Sequence, residues 1–167
     1  MGTNAQFMLL EISSGNADIW NLAVVHASPM AHLRNKLWNT LKKEKLNINN
    51  HRIATGDFNS VTKREEVSNP GSFDNHRSAK FNEWIFYEAL VDLGFNGQCF
   101  TWKRGNENSN FRGARLDRAL CSIDWLERST KTKVHHLAAI NSDHCPILIS
   151  IGDWSEVRTS DFRYQGS

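Results

Sequence analysis

The sequence predicts an α+β layered sandwich. Three observations carry that expectation. Short apolar runs of strand length recur along the chain, divided by turn residues. Only two longer segments show helical periodicity. Strict alternation of strand and helix, the mark of a doubly wound parallel sheet, is missing. At 167 residues the chain has the length of one domain.

The elements follow in order. Gln6 to Ile12 and Asp18 to His26 read as strands joined by a turn at Gly15-Asn16, an opening hairpin. Ser28-Pro29 reads as the cap and first position of a helix that carries Leu33, Leu37, Trp38 and Leu41 on one stripe. A charged run from Lys42 to Lys45 closes it. His51 to Thr55 reads as a strand that runs into Gly56-Asp57-Phe58-Asn59. Residues 62 to 78 are polar, contain Pro70-Gly71, and read as a long loop. Phe81, Trp84, Ile85, Ala89 and Leu90 mark a second helix, stopped by Gly94. Phe100 to Trp102 is a short strand, Lys103 to Gly113 a hairpin-like loop, and Arg115 to Cys121 a strand. A helical turn over Ile123 to Arg128 precedes strands at Lys133 to Ala139 and Pro146 to Ile151. From Trp154 onward the chain reads as a tail or linker.

Composition excludes more than it selects. Twenty basic against 18 acidic residues give a net charge of +2, too small to identify a nucleic-acid partner by itself. The three cysteines, Cys99, Cys121 and Cys145, form no C-x-x-C pair, which argues against a disulfide framework or a thiolate zinc site. The first residues lack a basic segment and a long apolar run, Gln6 breaks the myristoylation pattern, and no stretch has transmembrane length. The expectation is a soluble, intracellular protein of nucleus or cytoplasm, not secreted.

Four clusters can carry chemistry. Asp57 and Asn59 stand two apart at a strand end, so both point the same way and can orient a water against a phosphate; the same residues also read as a plain turn. Ser142-Asp143-His144 places a histidine beside an acid, as a phosphate donor, a metal-ligand pair, or a polar surface loop. Asp117 sits among Leu116, Ala119 and Leu120 and needs a partner if buried, either a histidine ring or a neighbouring arginine. Phe100-Thr101-Trp102 reads first as core aromatics on a strand. Between these lies a stretch rich in Lys103, Arg104, Arg112, Arg115 and Arg118, suited to phosphate contact or to a solvated hairpin.

Taken in order, G-D-F-N, F-T-W, R-L-D-R and S-D-H resemble the endonuclease/exonuclease/phosphatase family. The wording is closest to the endonuclease domains of plant LINE-type (non-LTR) retrotransposons. V-V-H-A-S-P at 24 to 29, L-V-D-L-G-F-N-G-Q-C-F-T-W at 90 to 102 and the tail Asp161-Phe162-Arg163-Tyr164 share it. The resemblance implies a four-layer α/β/β/α sandwich of the DNase I-like type, incomplete at the N-terminus, over residues 1–152, with 153–167 as tail or linker. It implies metal-dependent hydrolysis of a phosphodiester, with Mg2+ as cofactor (Mn2+ an alternative) and DNA as partner. Asp57 would activate the attacking water and Asn59 help hold it. His144 would contact the scissile phosphate, Asp117 would fix its ring, and Asp143 would sit at the metal side. His26, Trp102, Lys103, Arg104, Arg112 and Arg115 would contact substrate. His26 stands where the family places a tyrosine. The family's metal-binding Glu would lie earlier than Glu11, so self-association through exposed sheet edges and an inactive, weakly nucleic-acid-binding remnant are the expectations that compete with a nicking enzyme. A phosphoinositide phosphatase is the other possibility within the family.

Overall fold

A computed structural model describes residues 2–14, 18–105, 110–127 and 131–152. The elements run β1 (Gly2–Asn4), β2 (Phe7–Ser14), β3 (Asp18–His26), α1 (Ala31–Thr40), β4 (Arg52–Asp57), α2 (Asn75–Tyr87), β5 (Leu90–Asp92), β6 (Asn96–Gly97), β7 (Trp102–Arg104), β8 (Arg112–Ala114), β9 (Asp117–Ser122), α3 (Ile123–Leu126), β10 (Thr132–His136) and β11 (Ile147–Ile151). Short 3-10 turns at Arg64–Glu66 and Pro70–Ser72 organise the segment expected as a plain loop.

The strands form a six-stranded sheet in the order β1-β2-β3-β4-β9-β5, a three-stranded sheet β11-β10-β6, and the two-stranded hairpin β7-β8. Alternation along the strands divides the large sheet's side chains between two cores. On one face Phe7, Ala23, Val25, Ala54 and Leu120 pack beneath Leu37, Trp38 and Leu41 of the α1 region and Phe81 and Trp84 of α2. Trp38 lies 5.2 Å from Trp84 and 5.0 Å from Phe81, ring centre to ring centre. On the other face Ile53, Cys121 and Trp125 meet Trp20, Leu22, Ile149 and Ile151, closing the large sheet against the small one. This is the mixed α+β arrangement that the sequence predicts.

Several boundaries differ from expectation for local physical reasons. Helix α1 starts at Ala31, not Pro29; Ser28 Oγ accepts from Met30 N and makes a turn just before the helix. Helix α2 starts at Asn75, six residues before Phe81, because Asp74 caps it by accepting from His76 N. It also ends sooner. Ala89 is in the left-handed region at φ 48°, and Leu90 opens β5, where it pairs with Ser122. The expected turn at Gly15-Asn16 and the tail from Trp154 lie outside the described residues.

Gly56 shows how tightly the central strands approach. Its φ is +127°, and a Cβ there would stand 2.1 Å from Val25 O. Gly56→Ala is therefore expected to destabilise the protein by at least about 2 kcal/mol, through backbone strain and displacement of β3. A urea melt checks this, and an unchanged midpoint would contradict it.

Candidate active site

Three segments distant in sequence build the site. The first is the end of β4. Asp57 closes the strand facing the inter-sheet side, Phe58 turns into the helical core, and Asn59 returns to the same side as Asp57. Asn59 takes a left-handed φ of 46° and locks the pair: its backbone N donates to Asp57 Oδ1 at 2.8 Å and its Nδ2 to Asp57 Oδ2 at 2.7 Å. Asn59 Nδ2 also donates to Ala27 O at 2.8 Å, tying the motif to the end of β3. His26, at that end, is 83% exposed with Nδ1 3.7 Å from Asp57 Oδ2.

The second segment is β9. Antiparallel pairing sets Asp117 directly opposite Asp57. The third is the loop of residues 142–145, which lies along the hairpin strand β7. Lys103 N donates to Asp143 O at 2.9 Å, Cys145 N donates to Thr101 O at 2.7 Å, and a lone bridge joins Trp102 to His144. That pairing delivers the His144 ring to Asp117. Nδ1–H donates to Asp117 Oδ2 at 2.9 Å, since a carboxylate only accepts, and Nε2 is the ring's other polar atom. Of the two partners open to Asp117, the histidine holds it; the neighbouring arginines are engaged elsewhere.

The electrostatics follow from burial. Burial pushes the Asp57 carboxyl above the ordinary range; the backbone N–H of Asn59 opposes this, the charge of Asp117 adds to it, and His144 and His26 oppose it. Asp57, Asp117 and His144 each offer a ligand atom, all within 4.8 Å of one another. Two facing carboxylates short of positive charge are a fitting place for a hard divalent cation, which takes oxygen ligands and keeps several waters. Asp143 is not one of the three. Its Oδ2 accepts from Trp102 Nε1 at 3.0 Å.

The expected substrate-contacting residues separate into two groups. Arg104 and Arg112 are exposed and face each other across β7-β8. Trp102 and Lys103 lie along the 142–145 loop, with Lys103 Nζ bonded to Gln98 Oε1. Arg115 is the exception. It is buried, with Nη1 donating to Glu66 and both Nη atoms to Asp92, and its guanidinium stacks 4.6 Å from the Phe95 ring centre. It belongs to the interior and is not available for a phosphate.

Sequence reasoning passed over Thr101. The side chain is fully buried, and its Oγ1 accepts from Leu116 N at 3.0 Å and from Asp117 N at 2.9 Å, so it sets the start of β9. The available signal was a hydroxyl between two aromatics on a buried strand, which must find partners. Glu66, inside the expected loop, was likewise missed as the internal partner of Arg115 and Arg118.

No protein-family model matches the sequence, and no curated protein matches it. Solved structures do. The endonuclease domain of TRAS1, a telomere-specific non-LTR retrotransposon, is similar with a TM-score of 0.60 at 16% identity, over 87% of this chain and 63% of that one. The 3′ phosphatase NExo from Neisseria, bound to a product DNA hairpin, gives 0.65 at 16% identity, over 89% of this chain and 65% of that one. Truncated TDP2 of Caenorhabditis elegans gives 0.51 at 19% identity, over 88% of this chain and 60% of that one. The fold is DNase I-like. This chain spans about three-fifths of the length of these structures. In this DNase I-like chain, Glu11 of β2 is exposed and shares strand parity with Phe7, which packs beneath the helices, so it stands on the face opposite Asp57. Among the described residues no helix is long and apolar enough to cross a membrane.

Proposed function

We propose that this chain carries a hydrolytic phosphodiesterase site that nicks DNA, with Mg2+ as its cation and a plant LINE-type retrotransposon endonuclease as its origin. The observation that carries the reading is the convergence of Asp57–Asn59 with the Asp117–His144 pair from three separate segments. In this reading Asp57 accepts a proton from the attacking water, and Asn59 holds the carboxylate and the water in line. His144, as the imidazolium, donates Nε2–H to a phosphoryl oxygen as negative charge develops there. Asp117 accepts from Nδ1–H, fixes the ring's orientation and supports its imidazolium. A bound magnesium would be held by the Asp57 and Asp117 carboxylates and would supply charge stabilisation at the phosphate. The exposed Arg104 and Arg112 on the hairpin, with Trp102 and Lys103, would guide the backbone.

The test is nicking of supercoiled plasmid with and without magnesium. Nicking that needs the metal is expected. Binding has a readout of its own: magnesium at about 100 times its Kd stabilises the fold by about 2.7 kcal/mol. Chelation should reverse that rise in melting temperature, and Asp57→Asn should remove it. A cooperative melt that magnesium leaves unmoved, with no nicking, would favour the second reading. That reading is an inactive remnant with weak nucleic-acid binding, and the placement of Glu11 away from the cluster supports it.

A further inference from the structure

On the other side of Asn59 lies a second pocket, about 300 Å³, that the proposed chemistry does not use. Its walls include Arg34 of α1, Arg77 of α2, Asn59, Ser72, Asp74 and Ser78. We propose that this pocket binds a backbone phosphate of the nucleic acid, next to the phosphate held at Asp57, Asp117 and His144.

Arg34 is the main support. It is only 5% exposed, unusual for an arginine with no carboxylate partner among the described residues. Nη1 is fixed by donating to Ser28 O at 2.9 Å and to Pro29 O at 2.7 Å, the two carbonyls that lead into α1. Nε and Nη2 have no hydrogen-bond partner among the described residues and are not fully buried, and Arg34 lines the pocket. A buried, immobilised guanidinium with free donors is built for a ligand that accepts from a planar fork, and phosphate is that ligand. Arg77 places a second positive charge on the same pocket, with no carboxylate paired to it among the described residues. Burial, and then Arg77, pull Arg34 below the ordinary arginine range, while Asp57 acts the other way. An anion would relieve the repulsion. The start of α2 also lines the pocket, and its first-turn amides add positive potential. The one acidic wall, Asp74, is occupied as the cap of α2, accepting from His76 N at 2.9 Å. Among the lining residues two guanidiniums face one carboxylate.

This inference rests on the nuclease reading for the identity of the ligand, and its test separates the two. Inorganic phosphate is titrated into the metal-free protein while backbone amides are followed by NMR. Saturable shifts are expected at Asn59, Ser60, His76 and Arg77. Arg77→Gln, an exposed change that the fold tolerates, should weaken phosphate binding at least tenfold. The same variant should weaken binding of an eight-residue oligothymidylate about tenfold and lower its salt slope by about one. Arg34→Lys, which keeps the charge and loses the fork, should weaken both as well. Shifts confined to the His144 loop, or an Arg77→Gln protein that binds phosphate as tightly as wild type, overturn the proposal. Phosphate bound here with unchanged oligothymidylate affinity in Arg77→Gln overturns the assignment to nucleic acid. Local phosphate and oligonucleotide binding by a protein that never nicks DNA supports the subsite and removes the hydrolase reading alone.

Discussion

His144→Ala is expected to lower magnesium-dependent nicking by about 10²- to 10⁴-fold, the range for removing a positioned proton donor or a charge-stabilising group. Among the described residues the ring makes one hydrogen bond, Nδ1–H to Asp117 Oδ2 at 2.9 Å, and it belongs to neither buried core cluster. Loss of the ring therefore removes chemistry and leaves the fold. The melting temperature should shift little, because His144 is partly exposed and its side chain makes no other hydrogen bond among the described residues. Asp117→Asn removes the support of the His144 ring together with one of the carboxylates proposed to hold magnesium. The amide no longer supports an imidazolium, so activity falls and the acidic limb of the pH profile moves, and the magnesium-dependent rise in melting temperature shrinks. If His144→Ala nicks as fast as wild type, the histidine is not at the phosphate and the reading fails.

The largest effect on stability is expected at Arg118. Its side chain is fully buried. Nη2 meets Glu66 Oε2 at 2.9 Å and Nη1 meets Asp92 Oδ2 at 3.1 Å, with further bonds to Ser60 O and Arg115 O. The guanidinium also lies 5.4 Å from the Phe81 ring centre. Arg118→Ala leaves Glu66 buried with only Arg115 as counter-charge, and breaking such a pair costs about 3–5 kcal/mol. For a domain of this size that lowers the melting temperature by on the order of 10 °C. Double substitution of Arg118 and Glu66 by apolar residues of similar volume should recover much of the loss, since no lone charge remains.

The same network sets the response to acid. Burial tends to raise Glu66, but the hydrogen bond and charge of Arg118, the Thr62 N–H and the charge of Arg115 outweigh it and hold its pKa low. Burial tends to raise Asp92 too, and Arg115, Arg118 and the Gly94 N–H outweigh that. Folded values below the unfolded ones mean the stabilisation is present above the ordinary carboxylate range. It is lost as pH falls through the depressed folded values, from about pH 4 downward. The wild-type advantage over Arg118→Ala should therefore narrow in acid. Asp57 has the opposite sign: its folded value is raised, so its contribution is present in acid and lost as pH rises through that value. A series of melts against pH in both proteins checks the narrowing.

Much of the fold was legible in the chain. Strand-length apolar runs located β2, β3, β4 and β9 of the large sheet and β10 and β11 of the small one, though not the short β1, β5 and β6, and the Leu37-Trp38-Leu41 and Phe81-Trp84 stripes located the helices that cover one face. The ends of elements were less legible. Asp74 overrode the loop reading of its neighbourhood by capping α2, and the left-handed Ala89 ended that helix where side-chain periodicity ran on. Such decisions are made by single hydrogen bonds and single φ angles, which periodicity averages away.

The site divides in the same way. Sequence alone determined that Asp57 and Asn59 share a side, since alternation along a strand requires it, and that Asp117 needed a polar partner among apolar neighbours. It could not choose between histidine and arginine for that partner. Tertiary structure chose, because β7 lies along the 142–145 loop and brings His144 to Asp117, while Glu66 and Asp92 claim Arg115 and Arg118. Arg115, read from its basic surroundings as a phosphate contact, is held inside by carboxylates 23 and 49 residues away. Arg34, in an ordinary helix, becomes a fixed guanidinium beside Asn59. Local sequence sets which way a side chain points from its own strand or helix. What it meets there depends on residues far along the chain, and only the packed sheets bring those together.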